Sequence, residues 1–349
     1  MKATNGDLIL SVVDAKRLAA RFLAHWEVSD PDAAVVAHHL VENDQRGIRS
    51  HGILRLPQYV EEIETGEIDP RGQPVVVNAG GGPTVINGRR CLGPVACVSA
   101  VDEITRQCQA HPMAVVSVRQ AGHCGRIGAY TEDLATQGLI GLAFCSGPRS
   151  GHRVAPFGGT EGRLATNPIA YAFQTADGLL ISADFSTSVV PEGKVRLWHY
   201  LREMAPPGVL RDASGSQTQD PQVLYDSPSG TIQPLGGELF GYKGTALGLL
   251  VEVLATIYSG EDSTDATRVG NNVTIIALVP PKTFGVHASR LAAYIHSTQA
   301  IDPAHPVLLP GELESSRRVD ASVLIARDTW QQMLDAATRK GFELSEVMR

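Results

Sequence analysis

Long uninterrupted apolar runs are missing from this sequence. The run LILSVV (8–13) is too short for the core of a signal peptide, and Asp14, Lys16 and Arg17 follow at once. The longest later stretch, ALGLLVEVLATIY (246–258), carries Glu252 and is too short to span a bilayer. The expectation is a cytoplasmic chain with no membrane partner. An excess of positive charge is also missing: 30 Lys and Arg face 37 Asp and Glu, a net charge of −7, which argues against a nucleic-acid partner. Cysteine is sparse. The five thiols, Cys91, Cys97, Cys108, Cys124 and Cys145, are odd in number and form no CxxC pair, so a structural metal site is not expected and reduced, mostly buried thiols are. Aromatic residues make up only 5%, so the cores must be built from Ala, Val, Leu and Ile. Apolar residues are plentiful overall: 43% of 349 residues excludes general disorder and suffices for about two domains.

The chain opens with helical periodicity over Ser11–Trp26 and again from Pro31, after the cap signal Ser29-Asp30, to Gly47. A third amphipathic helix runs from Leu56 to Glu64 and stops at Gly66. From Pro74 the pattern changes. Residues 75–77 and 84–87 read as strands, with Asn87-Gly88 as a turn. Helices are expected over 95–108, 130–136, 189–201, 246–258, around 291–296 and over 329–339. Strands are expected over 113–118, 139–145, 169–173, 179–185, 272–279 and 322–325. The polar, turn-rich run 206–222 reads as a surface excursion. Strand, helix and strand in succession indicate an α/β (α+β) fold. The expected division is an N-terminal helical segment (1–73), a central sheet region (74–285) and a C-terminal segment (286–349) that packs with the N-terminal helices.

The densest chemical signal is Gln45-Arg46-Gly47-Ile48-Arg49-Ser50-His51-Gly52-Ile53-Leu54-Arg55, where a helix stops. Arginine can bind both oxygens of a carboxylate, and histidine titrates near working pH. The alternative is a capped helix end with solvated arginines. A Ser50–His51 nucleophile dyad is not expected, because adjacent side chains of an extended loop point apart. No GxSxG elbow is present. Gly122-His123-Cys124-Gly125-Arg126-Ile127-Gly128 imitates a dinucleotide loop, but its spacing is GxxGxxG and no acidic residue ends a second strand about 20 residues on. A non-Rossmann loop, or simply a tight turn needing small residues, is the reading. His38-His39 lacks metal-ligand spacing. Asp184 ends a strand, as either a functional carboxylate or a helix cap. Lys243 begins an apolar helix and opposes its dipole, which a bound anion would explain.

Six segments in register resemble the type-2 malate/L-lactate dehydrogenase family. They are RGIRSHGILRLPQYVEEIETGEI (46–68), GHCGRIGAYTEDLATQGLIG (122–141), VAPFGGTEGRLATNPIAYAF (154–173), ISADFSTSVVPEGKV (181–195), GYKGTALGLLVEVLATIYSG (241–260) and LLPGEL (308–313). The resemblance implies an oxidoreductase using NAD or NADP, a cofactor sheet that is not Rossmann, a homodimer and a 2-oxo or 2-hydroxy acid substrate. It implies His51 as proton donor and acceptor, oriented by Asp184. Arg49, Ser50, Arg55, Thr166 and Asn167 would bind substrate. His123, Ile181, Ser182, Ala183, Asp184, Phe185, Ser186, Tyr242, Lys243, Gly311, Glu312 and Leu313 would contact the cofactor. The chain reads DFSTS and GYKGTAL where many relatives read DMATS and GYKGYGL, differences that bear on substrate size and on NAD against NADP. A reductase of a cyclic imine carboxylate such as piperideine-2-carboxylate, or a ureidoglycolate dehydrogenase, would share the same hydride geometry. A nucleotide-binding protein without catalysis is the rival from another class.

Overall fold

In a computed structural model of the chain, residues 7–77, 83–256, 258–317 and 322–344 are described. Ser11 ends a strand and starts a helix at once: β1 (Leu8–Ser11) runs into α1 (Val12–Ala24), whose first turn is capped by Ser11 Oγ accepting the Asp14 N–H at 3.0 Å. α2 (Asp30–Gln45) carries Pro31 in its first turn, and α3 (Leu56–Glu64) presents Leu56, Tyr59 and Val60 to the interior. The central region follows as β2 (Val75–Val76), β3 (Thr84–Cys91), α4 (Gly93–Cys108), β4 (Met113–Ala121), α5 (Gly128–Thr136), β5 (Ile140–Ser146), β6 (Ile169–Gln174), β7 (Leu180–Phe185) and α6 (Glu192–Leu201). Then come β8 (Leu210–Arg211), β9 (Gln217–Thr218), β10 (Thr231–Ile232), α7 (Gly237–Thr256), β11 (Asn271–Leu278), α8 (Phe284–His296), α9 (Glu312–Arg317), β12 (Ser322–Ile325) and α10 (Arg327–Lys340).

Seven strands form one mixed sheet in the order β2-β3-β4-β11-β5-β6-β7, in which only β3 and β4 run parallel. β11 is central and buried on both faces, from Asn272 to Ile275 and again at Ala277. Its Val273, Ile275 and Ala277 share a core with Ala96, Ala100 and Ile104 of α4 and with the inner faces of α1, α2, α3 and α10. β1 pairs antiparallel with β12, so the two ends of the chain meet beside that core. Phe342, just beyond α10, packs edge-on against Phe22 and Trp26 of the first helix.

The pairing register fixes where the site must lie. Ala121 pairs with Asn271, Asn272 with Ser146, Phe144 with Ile169, and Ile169 with Phe185. The loops after β4, β5 and β7 and those before β11 and β6 therefore all leave from one end of the sheet.

Several expectations are corrected. Residues 8–11 form a strand whose partner lies at the far end of the sequence. Asn87-Gly88 is not a hairpin turn: β3 continues to Cys91 through a register shift, with Asn87 Oδ1 accepting the Arg89 N–H at 2.8 Å and Arg89 and Arg90 at φ 49° and 62°. A Cβ at Gly88 would lie 2.7 Å from the Gln120 carbonyl oxygen, so the bulge is pressed against β4. The 206–222 run contains β8 and β9, which with β10 form a small sheet whose apolar side packs near Val195 of α6. α7 starts at Gly237, well before Ala246, so Lys243 lies inside the helix rather than at its start. Its length and composition would allow it to cross a membrane, yet it packs on β5 and β11 and buries Gly241, Gly244, Gly248, Val251, Glu252 and Ala255.

Candidate active site

The site grows from the end of α2. Gly47, at φ +77°, lets the chain leave the helix, and the Ile48 N–H closes on the Asn43 carbonyl at 2.8 Å. Two short 3-10 turns follow, Arg49–His51 and Ile53–Arg55, and lead directly into α3. Because residues 49–51 are wound and not extended, the neighbouring side chains of Ser50 and His51 meet: Ser50 Oγ lies 3.1 Å from His51 Nδ1. The expectation that they point apart is thereby overturned. The contact occupies Nδ1, and among the described residues Nε2 makes no hydrogen bond, which leaves it as the ring atom available for chemistry.

His123, in the loop after β4, stacks on His51 with ring centroids 5.6 Å apart and planes 15° from parallel. Its Nδ1 lies 3.0 Å from the hydroxyl of Tyr59. Burial pushes the Tyr59 phenol well above its ordinary range, so it stays protonated, and its hydroxyl meets the imidazole as a neutral group. Burial, followed by the charge of Arg55, holds both imidazoles well below the usual histidine range. Arg55 is 8% exposed; its Nε donates to the Ser50 carbonyl at 2.7 Å and its Nη1 to Gln58 Oε1 at 2.6 Å. The start of α6 roofs this corner, since a Cβ at Gly193 would sit 3.4 Å from Ser50 Cβ and 3.5 Å from Arg55 Nη2.

Two consecutive side chains of α2 hold the histidine turn from beneath. Asn43 Nδ2 donates to the His51 carbonyl at 3.2 Å, and Asp44 Oδ2 accepts the Ile53 N–H at 2.8 Å. Only glycine fits at 52, because a Cβ there would lie 1.9 Å from Asp44 Oδ1. Burial pushes the Asp44 carboxyl up to about 7, against the opposing pull of the Ile53 N–H and of Arg49. The charge of Arg49 acts on Asp44, while that of Arg55 is the largest charge effect on both imidazoles.

Behind the site lies a buried ionic network. Arg126 donates to both oxygens of Glu132 at 3.0 and 2.7 Å and to Asn43 Oδ1 at 2.8 Å, and its N–H is accepted by His39 Nε2 at 3.1 Å. Arg46 reaches Glu132 at 2.8 Å, and Ser182 donates to it at 2.5 Å. Burial and then Arg126 bring the His39 pKa down to about 3.

The remaining expected residues divide plainly. Asp184 Oδ2 accepts the Gly128 N–H at 2.7 Å and so caps α5, and no direct hydrogen bond among the described residues joins it to the His51 imidazole. Strand alternation turns Ser182 and Asp184 toward α5, whereas Ile181 packs against Ala292 and Leu309 and Phe185 is exposed. The six consecutive residues 181–186 therefore cannot all face one ligand. Ser186 Oγ donates to the Ser188 carbonyl. Asn167, at φ 37°, buries its amide against α7, donating to the Gly248 carbonyl at 3.0 Å and to Glu252 at 2.8 Å, so it is not brought to the imidazoles. The Thr166 carbonyl is taken by the Thr187 N–H. Gly311-Glu312-Leu313 borders β7, where the Ser182 N–H donates to the Pro310 carbonyl, and Glu312 pairs with His296 at 3.0 Å. Lys243 lies over the rings of Phe240 and Tyr242. Tyr59, Asn43, Asp44 and Arg126 were not singled out in the sequence; the signal for Tyr59 was a polar-tipped ring one helical turn after Arg55.

A profile of malate/L-lactate dehydrogenases matches residues 10–334. The chain belongs to the malate/L-lactate dehydrogenase family. As a dehydrogenase of this family it is 32% identical over 324 residues to an L-lactate dehydrogenase of Cupriavidus necator, covering 90% of this chain and 92% of that one. It is 28% identical to a delta(1)-pyrroline-2-carboxylate reductase of Burkholderia ambifaria over 75% of this chain and 74% of that one. The sulfolactate dehydrogenase structure from Methanocaldococcus jannaschii superposes with a TM-score of 0.84 at 27% identity, covering 98% of this chain and all (100%) of that one.

Proposed function

We propose that this dehydrogenase interconverts a 2-oxo acid and its 2-hydroxy acid, with His51 as proton donor and acceptor and Arg55 holding the substrate carboxylate. The observation that carries the reading is the His51 imidazole, occupied at Nδ1 and without a hydrogen bond at Nε2 among the described residues, beside a buried guanidinium and stacked on a second imidazole. The family implies a nicotinamide cofactor. The residues proposed to hold it are chemically suited: Phe185 offers an exposed aromatic face at the end of β7, Glu312 a half-buried carboxylate beside that strand, and Lys243 with Tyr242 an exposed cation and ring on α7. These residues would hold NAD or NADP, which when bound supplies or accepts the hydride at C2 of the substrate. In reduction His51 Nε2–H gives its proton to the carbonyl oxygen; in oxidation the neutral ring takes it from the hydroxyl. The free enzyme keeps His51 neutral, ready as the base. A substrate carboxylate on Arg55 offsets the guanidinium charge and raises the proton affinity of the ring for the acid role.

A second reading, reduction of a cyclic imine carboxylate, is supported by the pyrroline-carboxylate reductase relative and needs the same clamp. We also propose a homodimer, supported by the exposed apolar face of α7. The test is NADH and NADPH consumption by the purified protein with pyruvate, oxaloacetate, phenylpyruvate, hydroxypyruvate and cyclic imines. Turnover with 2-oxo acids is expected. His51→Ala should lose about 10²–10⁴ in rate while retaining cofactor binding by fluorescence titration. Unchanged turnover in that variant would remove His51 from the mechanism. No oxidation with any substrate would favour a nucleotide-binding role without catalysis.

A further inference from the structure

The two imidazoles come from loops far apart in sequence, and one side chain touches the supports of both. Asn43 is 1% exposed, with its amide between the His51 carbonyl and the guanidinium of Arg126, three residues after His123. Its orientation follows from chemistry. A carbonyl only accepts and a guanidinium only donates, so Nδ2 must face His51 and Oδ1 must face Arg126. Arg126 is itself immobilised by both oxygens of Glu132 and by His39 Nε2. At this burial each bond of the amide is costly to lose.

We propose that Asn43 is a positioning residue. By bonding the main chain of His51 and the side chain of Arg126 at once, it sets the separation and near-parallel stacking of His51 and His123. The proposal rests on the reading of His51 as the proton-transfer group for its effect on rate, but not for its effect on the two rings. Two other contacts also join the two segments, the Tyr59 hydroxyl with His123 Nδ1 and the Arg126 N–H with His39 Nε2, but neither reaches the main chain of His51; Asp44 braces Ile53, and Asn271 Oδ1 accepts the Cys124 N–H, without joining the two.

Asn43→Asp separates the two bonds, since it keeps the size and the acceptor for Arg126 but sets a carboxylate oxygen against the His51 carbonyl. In the full-length enzyme, kcat should fall about tenfold to a hundredfold, the range expected of a misplaced reacting group. Cofactor affinity by fluorescence titration should stay within about twofold of wild type. With 15N-labelled histidine, the ring resonances of His51 should move in Asn43→Asp while those of His123 stay. In Asn43→Ala both sets should move. If Asn43→Ala does not fold, Asn43→Asp alone decides. A folded Asn43→Asp enzyme with kcat within twofold of wild type would overturn the proposal, as would a fall in kcat with unmoved His51 resonances. Should wild type turn over nothing on the whole panel, the functional reading fails separately. The resonances then decide the positioning, upheld if the rings move as stated and refuted if they do not.

Discussion

At the scale of single residues, the site is governed by which groups burial leaves uncharged. His39, His51 and His123 are all kept neutral, first by burial and then by a neighbouring guanidinium. Asp44 is the converse: burial favours its protonated form up to about 7, against an ordinary value near 3.9. Between those two values the folded chain holds a proton that the unfolded chain has released, so the stabilising contribution of Asp44 is full at low pH, declines as pH rises, and is gone above about 7. Asn at this position keeps an acceptor for the Ile53 N–H and does not titrate. Asp44→Asn should therefore gain on wild type between about pH 5 and pH 8, with melting temperatures drawing apart in its favour by roughly a few degrees. Melts whose difference is the same at both pH values would show that Asp44 is already ionised in the fold. Arg55 poses a different question, because two of its three nitrogens already serve Ser50 and Gln58. Arg55→Ala should raise KM for 2-oxo acids about tenfold to a hundredfold, the worth of one lost charge-assisted bond, with a smaller loss in kcat from the freed Ser50 carbonyl. Steady-state kinetics check this, and an unaffected KM would count against the clamp. Lysine should not restore it, since one ammonium cannot reproduce the planar fork.

At the scale of elements, legibility followed how local each cause is. α3 runs over the residues read from the sequence, Leu56–Glu64, because its amphipathic face and its stop at Gly66 are both written within one segment. β1 was not legible, since its partner β12 lies at the other end of the chain and nothing near residue 8 announces it. The Asn87-Gly88 pair carries a common turn signature, but pairing with β4 on one side and β2 on the other turned it into a bulge. In the site, Ser50, His51 and Arg55 were legible as one dense segment. Asn43 and Asp44 stand just upstream and were passed over as ordinary helix residues; their role depends on the chain folding back over the end of α2. The loop 122–128 lacks the spacing of a Rossmann loop. Its small residues answer to crowding, for a Cβ at Gly125, φ +71°, would lie 2.1 Å from His39 Nε2. Asp184 was left open between function and cap, and its bond from the Gly128 N–H supplies the cap. The alternation of β7, legible in principle from its period of two, also limits how many of residues 181–186 one ligand can meet.

At the scale of the whole molecule, α7 is the element the single chain leaves unfinished. One side carries Gly241, Gly244 and Gly248, and the approach is so close that a Cβ at Gly244 would sit 2.2 Å from the Leu235 nitrogen. The other side carries Leu239, Leu249, Leu250 and Val253, between 48% and 75% exposed. These positions recur at helical spacing and form a stripe rather than scattered surface residues, the pattern of a face that needs a partner. In the proposed homodimer a second copy of the chain would supply one of identical character through a two-fold contact, the commonest symmetry of soluble oligomers. Wild type should then elute from a sizing column, with light scattering, at twice the 37.2 kDa chain mass. Leu249→Glu with Val253→Glu places two carboxylates in the middle of the stripe, where desolvating them would cost more than the contact returns. The double variant should run as a monomer with an unchanged circular dichroism spectrum, because neither side chain enters the core of its own chain. A double variant that still runs as a dimer would move the interface elsewhere. A wild-type monomer with full turnover would mean that the stripe on α7 serves some purpose other than self-association.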